Sequence, residues 1–155
     1  MGEINVYGFE MARVSEVYLS TLSKLMKPYG IERYFVALIH LCESKGTTTQ
    51  KDLSDALRKD KVSTMRIVDY LSERDLIRRK ENSEDRRCHI LEVTDKGYAL
   101  LPIVKDAVQK TNELLFHNFK PSQKKQFKKS MDSLYQTIES LPSPDFKIEA
   151  VKIKK

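Results

Sequence analysis

Two helix-capable segments joined by a short basic turn, then two short β-capable runs around a polar loop, fill residues 47–97. No other feature of the chain restricts its fold as much. Thr47-Thr48-Thr49 is β-branched and long enough for a minimal strand. Thr49 can cap a helix over 50–57, whose Leu53, Ala56 and Leu57 are expected to face inward. Arg58-Lys59 makes the turn, and Asp60 caps a second helix running to about Arg74. At about 100° per residue, Ile67, Val68 and Leu71 form one stripe with Thr64 on it. Val62, Arg66 and Asp69 fall opposite, and Ser63 and Met65 lie on the flanks.

Leu76 to Lys80 and Cys88 to Val93 flank the turn-prone segment Glu81 to Arg87, which predicts a hairpin with a loop longer than two residues. Along the first strand Arg78, Arg79 and Lys80 alternate, so they do not share a side. Asp75, between helix and strand, stands where a left-handed residue is useful, and aspartate tolerates that conformation better than most. A helix with an exposed polar face beside a β-ribbon with a basic tip is the layout of a winged helix.

The flanks read as helices. Residues 8–27 carry Phe9, Val14, Val17, Leu22 and Leu25 at apolar positions, with Pro28 just past the end. Residues 32–44 are apolar on more than one side and are expected at the centre of the core, ending at Lys45-Gly46. Thr94-Asp95 opens a long helix to about Asn118; Pro102 inside it implies a kink, or a start near Leu101. A last helix from Pro121-Ser122 sets Phe127, Met131, Leu134, Ile138 and Leu141 on a heptad-like seam that should pack against another helix. Pro142 and Pro144 stop it, leaving a basic tail. The fold class expected is mainly α with a small β-hairpin wing.

Several function classes find little support. The histidines His40, His89 and His117 fall on different elements, and there is no glycine-rich phosphate loop, so no enzyme, cofactor or metal site is expected. Cys42 and Cys88 lack CxxC spacing. No run approaches 18 apolar residues and the first residues lack a secretory pattern, so a cytoplasmic address without membrane contact is expected. The formal net charge of +6 invites a nucleic-acid partner. Yet residues 47–97 hold twelve lysines and arginines against eleven carboxylates, and the surplus sits in the C-terminal third. Placement of charge, not its total, must carry any DNA argument.

Placement is favourable. Lys59 and Lys61 suit phosphates, Arg66 can pair bidentately with guanine, Ser63 can donate or accept, and Val62 or Met65 can meet a thymine methyl. Thr48 and Gln50, at the start of the first helix, complete the candidate DNA surface of that pair. At the hairpin tip, Arg86 and Arg87 suit the negative potential of a narrow minor groove, while Asp85 is placed to pair with one of them and steady the loop. The competing readings are a solvated charged face, and a winged helix that binds an acidic protein partner.

Thr49 to Leu53, Asp60 to Leu71, and above all Glu84-Asp85-Arg86-Arg87 followed by Leu91 to Gly97 resemble the MarR family of bacterial transcription regulators. The most specific part is the wing's aspartate with an arginine two positions on, continued by Val93-Thr94-Asp95-Lys96-Gly97. The resemblance implies a homodimer, with residues 1–46 and 98–155 as a helical dimerisation lobe and 47–97 as a winged DNA-binding lobe. It carries major-groove contacts onto Ser63, Met65 and Arg66, and minor-groove insertion onto Arg87 with Arg86 beside it. The function implied is a repressor on a pseudo-palindromic double-stranded DNA operator. Members of that family also respond to small phenolic or lipophilic effectors in a crevice between lobes, or to cysteine oxidation. Tyr18, Tyr29, Tyr34 and His40 are the candidates for lining such a crevice, though aromatic residues on helices also pack in cores; Cys88 is the better redox candidate. Three features depart from the family pattern: it often has glycine at the positions of Arg58 and Asp75, an apolar residue at Thr64, and Ser or Thr at Met65.

Overall fold

The computed structural model describes residues 6–44, 48–82 and 89–140. Helix α1 (Tyr7–Met26) runs into a 3-10 turn (Lys27–Tyr29), then α2 (Phe35–Glu43), strand β1 (Thr48–Thr49), α3 (Gln50–Leu57) and α4 (Lys61–Glu73). The hairpin β2 (Ile77–Glu81) and β3 (His89–Val93) follows, then α5 (Asp95–Leu115) and α6 (Pro121–Ser140). The sheet is antiparallel in the order β1-β3-β2, with Thr48 opposite Leu91, Arg79 opposite Leu91 on the other side, and Glu81 opposite His89. No described helix is long and apolar enough to cross a membrane.

Contacts group the chain into two compact units, one ending at Leu115 and the other beginning at Phe116. In the first, Leu22, Met26, Leu38 and Leu41 from α1 and α2 share one core with Leu53, Val68 and Leu71 from α3 and α4, Leu91 from the sheet and Val104 from α5. The flanking helices and the winged elements therefore meet within it. In the second unit, Phe116 packs against Phe119 and Phe127, each with ring centroids 5.3 Å apart. There Gln123 accepts the Lys120 backbone N–H at 2.8 Å to cap α6.

The Val93-to-Gly97 motif has a structural task. Thr94 accepts the Gly97 backbone N–H at 3.1 Å and donates its hydroxyl to the Asp75 carbonyl at 2.7 Å, so one side chain caps α5 and fastens the α4–β2 turn. Lys96 adds a bond to the Arg74 carbonyl at 2.7 Å. The two backbones approach so closely that a β-carbon on Gly97 would lie 2.3 Å from the Leu76 carbonyl oxygen. Only glycine fits there. The turn itself is left-handed at Asp75 (φ 55°), as anticipated, and the turn before α4 is left-handed at Arg58 (φ 49°). At both positions the chain uses a residue with a β-carbon where glycine is the cheaper occupant.

Some expectations need correction. Helix α2 begins at Phe35 rather than 32 because Tyr34 is left-handed (φ 62°) and ends the turn from Gly30. Helix α5 starts at Asp95 and continues through Pro102, which withholds one backbone donor without ending the helix. Ala56 is exposed, because the short α3 turns only Leu53 fully inward. On α1 only Leu22 and Met26 are buried, while Phe9, Val14, Val17 and Leu25 are exposed in the single chain. The α6 seam is likewise open, with Phe127, Leu134 and Ile138 exposed and Met131 half-buried. Periodicity identifies which residues share a stripe but not what covers it.

Candidate nucleic-acid interface

Local chemistry builds the helix pair. Thr49 accepts the Asp52 backbone N–H at 3.1 Å and Asp52 returns the favour to the Thr49 backbone N–H at 3.0 Å, a reciprocal cap for α3. Ser54 donates to the Lys59 carbonyl at 2.6 Å and closes the turn. Asp60 then caps α4, accepting the Ser63 backbone N–H at 2.9 Å and the Ser63 hydroxyl at 2.6 Å. These bonds hold both carboxyls below the usual carboxylate range, with the side-chain bond from Thr49 acting first on Asp52 and that from Ser63 on Asp60.

Helix α4 buries Thr64, Ile67, Val68 and Leu71 and leaves Lys61, Val62, Met65 and Arg66 exposed on its first two turns. The buried Thr64 is satisfied by donating its hydroxyl to the Asp60 carbonyl at 3.0 Å, which explains a polar residue on the apolar stripe. Lys59 is exposed in the turn beside this face. Gln50 is half-buried at the head of α3 and lines, with Lys61 and Met65, a concavity of about 510 Å³. Thr48 is buried in the sheet, and Ser63, half-buried, spends its hydroxyl proton on Asp60. Asp85, Arg86, Arg87 and Cys88 lie outside the described residues.

The near-neutral balance of this module now has a physical account. Asp52 and Asp60 are engaged as caps, Asp69 pairs with Arg79, and Asp75 pairs with Arg78 at 3.4 Å. Each of these four acids is drawn into a local bond, and the charged residues exposed on the first two turns of α4 are Lys61 and Arg66. The Asp69 pair joins α4 to β2 and was not apparent from the sequence, because the partners stand ten positions apart.

A second polar cluster holds the far end of α4. Tyr70 accepts the Glu32 backbone N–H at 2.9 Å, Arg74 stacks 3.5 Å over the Tyr70 ring, and the Arg74 guanidinium donates to the Gly30 carbonyl at 3.0 Å. Tyr34 packs edge-on against Tyr70 with centroids 5.1 Å apart. The other crevice candidates lie on α1, the 3-10 turn and α2. Tyr18 donates to Asn112 on α5 at 3.0 Å, and burial pushes its phenol pKa up. Tyr29 is exposed in the 3-10 turn, and His40 is half-buried on α2. Cys42 is buried, with burial and then the Glu43 charge raising its thiol pKa against the opposing pull of Lys105, an environment that disfavours a reactive thiolate. Among the described residues no group of three or more His, Cys, Asp or Glu is placed to hold a metal ion.

Sequence reasoning passed over Lys51, Ser54 and His89, which line the same concavity as Gln50 and Lys61. Lys51 lies next to a cap, and His89 shares a strand face with buried Leu91 and Val93, a signal available in the strand pattern.

Known proteins match this architecture. The model of the MarR family matches residues 32–87. The chain is 30% identical over 135 residues to the transcriptional repressor MprA of Escherichia coli K12, covering 86% of this chain and 77% of that protein. A MarR transcriptional regulator from Methanosarcina mazei Go1 shares the fold with a TM-score of 0.78 at 27% identity, over 86% of this chain and 96% of that one. A MarR family transcriptional regulator from Listeria monocytogenes, complexed with 26mer DNA, has a TM-score of 0.76 at 20% identity, over 89% and 90% of the two chains.

Proposed function

The chain belongs to the MarR family and is a DNA-binding transcriptional regulator, and from that premise we propose that it acts as a homodimeric repressor on a pseudo-palindromic operator. Helix α4 is the recognition helix, with Arg66 and Met65 reading base edges in the major groove and Lys59 and Lys61 on phosphates. Arg87, with Arg86 beside it and Asp85 steadying the loop, enters the minor groove. The observation that carries this reading is the exposed face of Lys61, Val62, Met65 and Arg66 on a helix whose opposite stripe is buried and whose start is capped by Asp60. A relative named as a repressor and a structural neighbour solved with DNA support it.

Self-association is supported by the open apolar surface of α1, where Phe9, Val14 and Val17 are 69%, 57% and 52% exposed. Apolar surface left uncovered on this scale marks an association face. Two subunits then present recognition helices about one helical turn apart, roughly 34 Å. Selection of bound sequences from a random DNA pool tests the whole reading. Enrichment of an inverted repeat with that spacing is the expected result; a pool without enrichment, or a single unpaired half-site, overturns it.

A further inference from the structure

Directly opposed residues of an antiparallel pair share a face, so Ile77, Arg79 and Glu81 lie on the same side of the hairpin as Val93, Leu91 and His89. Along that side the environment changes from buried Ile77 and Val93, through Leu91 and the Arg79–Asp69 pair, to exposed Glu81 and His89. His89 thus leaves the core where the sheet passes the N-terminal ends of α3 and α4. There it lines the 510 Å³ concavity together with Gln50, Lys51, Ser54, Lys61 and Met65. Among the described residues no carboxylate lines the concavity, and the acids next to it, Asp52 and Asp60, are engaged in helix caps.

We propose that this concavity seats a DNA backbone phosphate and that His89, when protonated, is one of the donors that hold it. The inference rests on the DNA-binding reading and adds a contact on the hairpin stem, outside both the recognition face and the wing tip. Geometry selects the occupant. Lys61 and Met65 belong both to the concavity and to the exposed face of α4, so a duplex engaged by that face brings its adjoining strand over the concavity. Among the described residues, Lys51 from α3 and Lys61 from α4 share the concavity with His89, and Glu81 on β2 is its partner across the hairpin. A phosphate among the two lysines brings a negative charge that favours the imidazolium, and the imidazolium adds a charge-assisted donor. Binding and proton uptake are therefore linked, and histidine is the side chain suited to such a link near neutral pH.

The test uses the full chain and a short duplex of mixed sequence, since a phosphate contact is independent of base sequence. Affinity is measured at about pH 6 and about pH 8 at fixed ionic strength. The wild type is expected to bind about fivefold more tightly at the lower pH, with a slope of log affinity against log salt steeper by about 0.9 for each subunit engaged. His89→Gln should lose that gain, and His89→Lys should bind tightly at both values. Asp52 and Asp60 stay ionised over this range, because their caps hold their carboxyls low. Equal pH profiles for the wild type and His89→Gln overturn the proposal while leaving DNA binding intact. No binding by any variant at either pH overturns the DNA-binding reading with it.

Discussion

Asp69 on α4 and Arg79 on β2 form an ion pair that ties the exposed-faced helix α4 to the stem of the β-hairpin. In the proposed complex with DNA the two groups belong to elements that engage adjacent grooves. With side chains 45% and 34% exposed, the pair is screened by solvent. Its coupling should be about 0.5 kcal/mol in a double-mutant cycle of Asp69→Ala and Arg79→Ala followed by urea denaturation. DNA affinity should fall in either single variant, and the double variant should be little worse than either. Fully additive losses on DNA would show that the pair does not set the angle between helix and wing.

Arg66→Ala should relax base preference at one position in each half-site, at a cost of about 1 to 3 kcal/mol for the preferred sequence. Competition between matched and mismatched duplexes measures this. An equal loss on all sequences would reassign Arg66 to a phosphate.

Gly97→Ala places a methyl group 2.3 Å from the Leu76 carbonyl oxygen and 2.7 Å from a Val93 methyl carbon. Backbone cannot yield as a flexible side chain does, so a stability loss of about 2 to 3 kcal/mol is expected. Thermal and chemical denaturation provide the check; a variant as stable as the wild type would mean that the α5 joint relaxes freely.

The caps of α3 and α4 should fail in acid. The folded-state pKa values of Asp52 and Asp60 are depressed, so their contribution is complete above the ordinary carboxylate pKa of about 4 and is lost as pH falls through the lower folded values. Asparagine caps without titrating. The Asp52→Asn, Asp60→Asn double variant should therefore lose less stability between about pH 5 and pH 2 than the wild type. Parallel acid curves for the two proteins would place the acid sensitivity elsewhere.

Val14→Glu puts a charge on the open apolar face of α1, where Val14 is 57% exposed in the single chain. Sedimentation should show the wild type as a dimer and the variant shifted to monomer, with weaker binding to a two-half-site duplex. A monomeric wild type would remove the association face from the mechanism.

Much of the geometry of the α3–α4 pair was legible in the sequence because it is local. Thr49 and Asp60 cap helices through bonds to residues three positions on, and the stripe of Thr64, Ile67, Val68 and Leu71 follows from helical periodicity. The left-handed turn at Asp75 was visible in the same way. The crevice residues were less legible: Tyr34 meets Tyr70 and Tyr18 meets Asn112, partners far away in the chain.

The sequence by itself determined the order of the elements, their caps and the exposed face of α4, since these depend on interactions within a few residues. Tertiary structure decided the rest. It chose Asp69 as the partner of Arg79, placed His89 beside Lys51 and Lys61, made Gly97 obligatory against Leu76, and left the apolar face of α1 uncovered. Each depends on which distant backbone segments approach one another, and that is settled by packing of the shared core rather than by any local propensity.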